Sequence, residues 1–473
     1  LKVSRRAGGG SQTRDPAPSP LPRQQGLPPR LPGAEAEASG GAALSMRLPS
    51  LAGLFGMFEG KSKCSDPAVE SPASPRRGSR TPALTRSKSK DSGGSNSPAA
   101  RGGSSPAARG GSKSRGHSKS MVRLEQVQLE VSQVTAAMLE ETMQEISESV
   151  KDWDTGGYTM VAQLQEAIRN HGRVDLMRTS EAEGSVKVAV KRMPTKWVRL
   201  TPKDFQDNYA TASEKPWYDL GIVRELNKIG YPFACKLLDV FRDQETTYVV
   251  TSLATHGDLF SWCDRDPKPG RAREEAMKPI VAQIATGVRW LHDLGIAHRD
   301  LSLENILLTE EKDKLQVKII DFGMVTLSRR CRREVRGKQS YQAPEMHTDS
   351  EYDTYLSDAF ALGVVTFAMA AQDYPWTSTK RNACQLYEYV SLFGFRKFLE
   401  KRRLRKGNGE HLIEVFSPPL VDALDGLLES EPQERVTLGE LCYGKDRPSC
   451  WATNWLDGMD RSSDDALGRL AGG

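Results

Sequence analysis

Residues 1 to about 120 contain almost no aromatic or β-branched side chains and consist mainly of Gly, Pro, Ser, Ala, Arg and Lys. Such a segment cannot bury enough apolar surface to offset the entropy of ordering it, so it is expected to form a disordered arm. Whatever folds in this chain of 473 residues must therefore fold in the remainder, which carries nearly all the Trp, Tyr and Phe. The arm includes a tandem repeat, Ser97 to Ser104 followed by Ser105 to Ser112, which is low complexity and not a solenoid. Ser71, Ser74, Thr81, Ser97 and Ser105 each precede proline, a context for proline-directed phosphorylation.

The net charge of +5 is spread over a chain rich in acids and does not itself imply nucleic acid. The arm is locally basic. It reads first as a solvated tether; contacts with a partner, whether RNA, membrane or an acidic protein, are the sharper alternative. The 7 cysteines are scattered, odd in number and without a Cys-x-x-Cys pair. That pattern argues for a reducing, intracellular setting, cytoplasmic or nuclear, and against a disulfide or zinc scaffold. No run approaches the ~18 apolar residues of a membrane span, so no transmembrane segment is expected.

From Val122 to Val150 the pattern turns helical. Val127, Val131, Val134 and Met138 share one face, and Leu139, Met143, Ile146 and Val150 continue it with a slip of one residue. Such a stripe is expected to dock on the neighbouring domain, so 121–156 reads as an amphipathic lead-in. Strand-like runs follow at Ser185–Val190, Thr246–Thr251 and Leu315–Ile320. Helix-like runs lie at Ala276–Leu294, Tyr355–Ala371 and Pro419–Leu428. Strands first and helices later predict an α+β fold with a small sheet-rich lobe and a larger helical one. Residues 458–473 read as a flexible tail.

The strongest local signal is His298-Arg299-Asp300-Leu301-Ser302-Leu303-Glu304-Asn305. It is followed by Val317-Lys-Ile-Ile-Asp321-Phe322-Gly323, with a polar hairpin turn at Thr309–Lys314 between them. Upstream lie Val188-Ala189-Val190-Lys191, then Thr247 to Ala254 and His256-Gly257-Asp258-Leu259-Phe260. Downstream lie Gly337 to Glu345, Ser357-Asp358 to Val364, and Glu431-Pro-Gln-Glu-Arg435.

Taken in this order, the segments resemble the eukaryotic protein kinase superfamily, in its serine/threonine form. The resemblance implies a bilobal domain over 157–457, with an N-lobe at about 157–251, a hinge at 252–255 and a C-lobe at 256–457. It implies ATP, Mg2+ and a protein substrate, with Asp300 as catalytic base and Arg299 beside it. Asn305 and Asp321 would hold the metal, and Lys191 the α- and β-phosphates. Gly172, Val174, Ala189, Thr251, Ser252, Leu253, Ala254 and Leu307 would surround the nucleotide, with Thr251 guarding the back of the pocket. His298, Phe322 and Gly323 would support the catalytic loop and metal site. Asp358 would anchor the catalytic-loop backbone, and Glu345 would pair with Arg435.

The chain departs from the family pattern in several places. Ala167 to Val174 occupies the glycine-rich slot but keeps only Gly172 and Val174, with Arg169 inside it. Ser302 stands where the family usually has Lys, and Lys338 where it usually has Thr; Lys338 is expected to supply the charge missing at 302. The acid that pairs with Lys191 is expected to be Glu225, with Asp219 as the other candidate. Thr326, Ser328, Ser340 and Tyr341 are candidate phosphorylation sites in the activation segment, read by Arg299. The basic run Arg396–Lys406 reads as a solvated helix face. A pseudokinase, binding nucleotide without transferring phosphate, is the alternative reading.

Overall fold

The computed structural model describes residues 133–459, except 181–183, 406, 445 and 458. The arm with its repeat and serine–proline pairs, Val127, Val131 and the tail from 460 lie outside the described residues.

The fold is bilobal and α+β. Helix α1 (Ala136–Glu148) opens it, capped by Thr135, whose hydroxyl accepts the Met138 N–H at 3.2 Å. Strands β1 (Lys151–Asp152), β2 (Tyr158–Ala167), β3 (Gly172–Thr179) and β4 (Lys187–Pro194) follow. Next come helices α2 (Thr195–Val198), α3 (Pro202–Asn208) and α4 (Pro216–Lys228), then strands β5 (Leu237–Arg242) and β6 (Thr246–Ser252). These strands form one six-stranded sheet in the order β1-β5-β6-β4-β3-β2, antiparallel except for the β1–β5 pair.

The second lobe begins with α5 (Leu259–Cys263) and α6 (Arg271–Asp293). Its hairpin of β7 (Ile306–Glu311) and β8 (Lys314–Ile319) turns through Lys312 and Asp313, both at positive φ. Strands β9 (Arg330–Arg332) and β10 (Glu351–Asp353) pair as a short ribbon. Helices α7 (Thr354–Ala371), α8 (Gln385–Phe393), α9 (Phe395–Lys401), α10 (Leu412–Val415) and α11 (Pro418–Leu427) complete the lobe. Helix α7 is buried along its whole length and forms the axis of this core. It is long and apolar enough to cross a membrane by composition, but full burial in the lobe is the role the structure gives it.

The lead-in docks on its neighbour, as its stripe implied. Leu139, Met143 and Ile146, spaced for one helical face, are buried. A Cβ at Gly221 of α4 would stand 2.6 Å from Leu139 Cδ1 and 2.7 Å from Met143 Cγ, so the missing side chain is what lets the helices approach. The slip in the stripe also has a cause. Val134 precedes the helix, its N–H bonded to the Leu294 carbonyl at 2.9 Å, while Met138 faces solvent. The basic run is partly a solvated face, but Arg396 pairs with Asp422 and Asp425, and Arg402 with Asp373.

His292 joins α6 to the base of the lobe. Its ring is buried, with Nδ1 2.7 Å from Glu440 Oε1 and Nε2 3.1 Å from Asp358 Oδ2. Burial alone would lower its pKa, but these carboxylates outweigh burial and push it up to about 9 from 6.5. A raised folded-state pKa stabilises the protein fully below the unfolded value, and that share is lost as pH rises from 6.5 through 9. The loss is expected to reach about 3 kcal/mol. Urea midpoints taken from pH 6 upwards should therefore fall more steeply for the wild type than for His292→Asn. Equal slopes would show that His292 carries no extra proton in the native state.

Candidate active site

Sheet geometry assembles the site from the middle of β4 and the ends of the β7–β8 hairpin. The ladder pairs Ile306 with Ile319, and Ile320 N–H donates to the Asn305 carbonyl at 3.0 Å. Asn305, just before β7, and Asp321, just after β8, therefore return to one edge. In β4, Lys191 lies opposite Val174 on one side and Val249 on the other. Its ammonium reaches Asp219 Oδ2 at 3.1 Å and Asp321 Oδ1 at 3.3 Å. Burial would lower the Lys191 pKa, but Asp219 and Asp321 overcome this and raise it, keeping the lysine charged. Burial would likewise raise the pKa of Asp321, yet Lys191 holds it below the usual carboxylate range.

The expected pairing of Lys191 with Glu225 is corrected: Asp219 takes that place. Both lie one turn from Ile222, but in opposite directions, so at 3.6 residues per turn they stand about 120° apart on the helix. Asp219, in the first turn of α4, points to the cleft, and its Oδ1 also accepts the Phe322 N–H at 2.9 Å. Glu225 lies on the α1 side, buried against the Thr142 hydroxyl and the Lys228 ammonium.

Asp300 sits at the centre of the catalytic loop. Asn305 Nδ2 donates to its carbonyl and to its Oδ2, each at 2.8 Å, and Lys338 N–H donates to its Oδ1 at 3.1 Å. The loop itself is held by Asp358, which accepts the N–H of His298 at 2.7 Å and of Arg299 at 2.8 Å. Phe322 is fully buried, its ring 5.2 Å from that of His298. Gly323 is tight against the upper lobe, since a Cβ there would stand 2.4 Å from Glu214 Oε1. Glu345 and Arg435 form a buried two-pronged pair at 2.6 and 3.0 Å.

Lys338 Nζ lies 2.6 Å from Ser302 Oγ and 2.9 Å from Glu304. Its charge thus stands at the position where position 302 lacks one. Arg299 turns away from Asp300, with Nη2 3.0 Å from Glu334 Oε2 and 3.3 Å from Tyr352 Oη. Glu334, which the sequence did not flag, provides in an unmodified activation segment the negative charge that Arg299 was expected to read from a phosphate. Thr326 and Ser328 are instead bonded within their own turn, and Tyr341 is buried, its hydroxyl accepting the Leu303 N–H at 3.1 Å.

The eroded glycine-rich slot is the β2–β3 hairpin, whose tip, Ile168–Asn170, is a single 3-10 turn. Asn170 is buried and tied to Trp197 and to Glu214. A Cβ at Gly172 would stand only 1.8 Å from the Arg192 carbonyl oxygen, so that glycine serves the approach of β3 to β4. The turn sends Ile168 outwards and Arg169 down onto Asp300, with Nη1 2.5 Å from Oδ2 and Nη2 3.4 Å from Oδ1. Burial, then the Asp321 charge, pushes the Glu214 carboxyl next to this group up to about 8. Neither contact of Asp300 and Arg169 nor the place of Glu214 was legible from sequence spacing.

Val174, Ala189 and Leu307 are half-buried, as are Thr251, Ser252, Leu253 and Ala254. The Ser252 N–H is taken by the Lys236 carbonyl at 2.9 Å.

The protein kinase domain family matches residues 174–445, more than half of the chain. This chain belongs to the protein kinase family. Among its relatives, the CBL-interacting serine/threonine-protein kinase 13 of Arabidopsis thaliana is 28% identical over 221 residues, 46% of this chain and 39% of the relative. The serine/threonine-protein kinase H1 of Mus musculus is 30% identical over 222 residues, 46% of this chain and 48% of that kinase. The serine/threonine-protein kinase RAD53 of Saccharomyces cerevisiae is 25% identical over 298 residues, 59% of this chain and 33% of its own length. The chain therefore spans less than half the length of these relatives.

Proposed function

We propose that this protein kinase transfers the γ-phosphate of ATP to serine or threonine hydroxyls of a protein substrate. The observation that carries the reading is the meeting of Lys191, Asp219, Asp300, Asn305 and Asp321 in one cleft. Asp300 orients the attacking hydroxyl and takes its proton as the new O–P bond forms. The bond from the γ-phosphorus to the bridging oxygen breaks, ADP leaves, and Asp300 returns the proton to solvent.

Asp321 and Asn305 suit Mg2+, because both offer hard oxygen donors. Asn305 directs its amide nitrogen to Asp300, which leaves its oxygen as the donor atom. When bound, Mg2+ would neutralise charge on the phosphates. Lys191, fixed by Asp219, would hold the α- and β-phosphates. The Ser252 carbonyl and the backbone of Leu253 and Ala254 would bond adenine between Val174, Ala189 and Leu307.

The test is Mg2+-dependent transfer from ATP to a mixed Ser/Thr/Tyr peptide pool by the full chain. Phosphoserine or phosphothreonine is expected. Arg169 lying on Asp300 favours the competing reading, a nucleotide-binding pseudokinase, and nucleotide binding with no transfer would establish that reading instead. Lys338 is assigned to the charge missing at Ser302. Lys338→Ala is therefore expected to lower turnover about tenfold, the size of one lost charge-assisted contact of about 1.4 kcal/mol. Unchanged turnover would remove Lys338 from the mechanism.

A further inference from the structure

We propose that Arg169 is the γ-phosphate-binding residue of this kinase, held on Asp300 until a nucleoside triphosphate draws it away. The inference rests on the kinase reading above.

The starting point is that Asp300 has no oxygen left for a substrate hydroxyl. Oδ2 is shared by Arg169 Nη1 and Asn305 Nδ2, and Oδ1 by Lys338 N–H and Arg169 Nη2. The contacts from Asn305 and Lys338 belong to the loop's own scaffold. Arg169 belongs to the other lobe, and its guanidinium must leave before Asp300 can accept a proton.

Proximity then says where it goes. A base within hydrogen-bond reach of the hydroxyl, and a hydroxyl ~3–3.5 Å from the phosphorus it attacks, place the γ-phosphoryl next to the Asp300 carboxylate. A guanidinium already on that carboxylate need only swing its flexible side chain to meet the phosphoryl oxygens, whose geometry suits its two-pronged donation. The backbone need not move. Asn170 and Gly172 pin the turn on either side of its tip, while the Arg169 side chain is one-third exposed.

Alternative cations are already placed elsewhere. Lys191 is bound between Asp219 and Asp321, and the Lys338 ammonium between Ser302 and Glu304. The hairpin lacks the glycines that would bring backbone N–H groups to the phosphates, so an arginine at its tip takes over that contact with a side chain. The block and the binding site are thus one group in two positions, and only a ligand bearing a γ-phosphate converts one into the other.

The test is the affinity of the full chain for AMP-PNP and for ADP, both with Mg2+, measured by calorimetry for wild type, Arg169→Ala and Arg169→Lys. Arg169→Ala is expected to weaken AMP-PNP about tenfold while leaving ADP within twofold, and Arg169→Lys to fall between. The Lys variant guards against a folding defect in the Ala variant, which a thermal midpoint also reads. Equal weakening of both nucleotides, no change in either, or tighter AMP-PNP binding by Arg169→Ala would overturn the assignment. Failure of the wild type to bind either nucleotide would defeat the kinase reading as well, whereas an unchanged AMP-PNP to ADP ratio with both bound would defeat this inference alone.

Discussion

Asp300→Asn is expected to abolish phosphoryl transfer to within about a thousandth of the wild-type rate while the fold stays intact. General-base catalysis contributes ~10²–10⁴-fold, and an amide at this position cannot accept the proton. The substitution is nearly isosteric. An amide oxygen can still accept from Asn305 Nδ2 or from the Lys338 N–H, so the catalytic loop keeps its scaffold. The loop is in any case held from beneath by Asp358, which bonds the N–H groups of His298 and Arg299. What the variant loses structurally is the ion pair with Arg169, a contact across the lobes that is partly open to solvent. Single-turnover phosphorylation of a peptide, run beside a thermal melt, separates chemistry from folding. A rate lowered by less than tenfold would mean that the hydroxyl proton goes elsewhere and that Asp300 is not the base.

The second large effect concerns stability. Glu345→Gln and Arg435→Met are each expected to destabilise the full chain by about 3–5 kcal/mol. Arg435 is completely buried, its guanidinium 4.9 Å from the Phe360 ring centre, and it also donates to the Leu356 and Glu429 carbonyls. Removing either partner leaves the other charge in the core without its counter-ion, and a loss of that size is a large share of a domain's ~5–15 kcal/mol. The double variant Glu345→Gln with Arg435→Met removes both charges and should be destabilised less than the sum of the single changes. Urea denaturation of the four proteins measures the coupling. If the effects simply add, the pair is not a coupled unit and its geometry carries no special stability.

Asp300, Asn305 and Asp321 were legible because the chemistry fixes both residue type and short sequence spacing: the β7–β8 hairpin is local, so its register follows from the intervening turn. The lobes were legible for a similar reason. Helix α7 is mostly apolar, β6 a run of β-branched and aromatic residues, and the docking stripe of α1 repeats at helical spacing.

Contacts between distant segments were legible where the family resemblance implied them, as for Glu345 with Arg435 and Asp358 with the 298–299 backbone, and not elsewhere. Asp219 and Glu225 are both acids one turn from the expected position, and only the packing of Gly221 on Leu139 and Met143 decides which side of α4 faces the cleft. Glu334 meets Arg299 across 35 residues, and Arg169 meets Asp300 across 131. The sequence by itself determined the kind of fold, the 298–305 loop and the return of Asn305 and Asp321 to one edge of the β7–β8 hairpin, because local periodicity and local spacing encode them. The tertiary structure alone decided which acid holds Lys191, which charge satisfies Arg299 and where the hairpin arginine lands. Each of those depends on the angle at which separately folded elements pack, and a side chain's identity does not carry that angle.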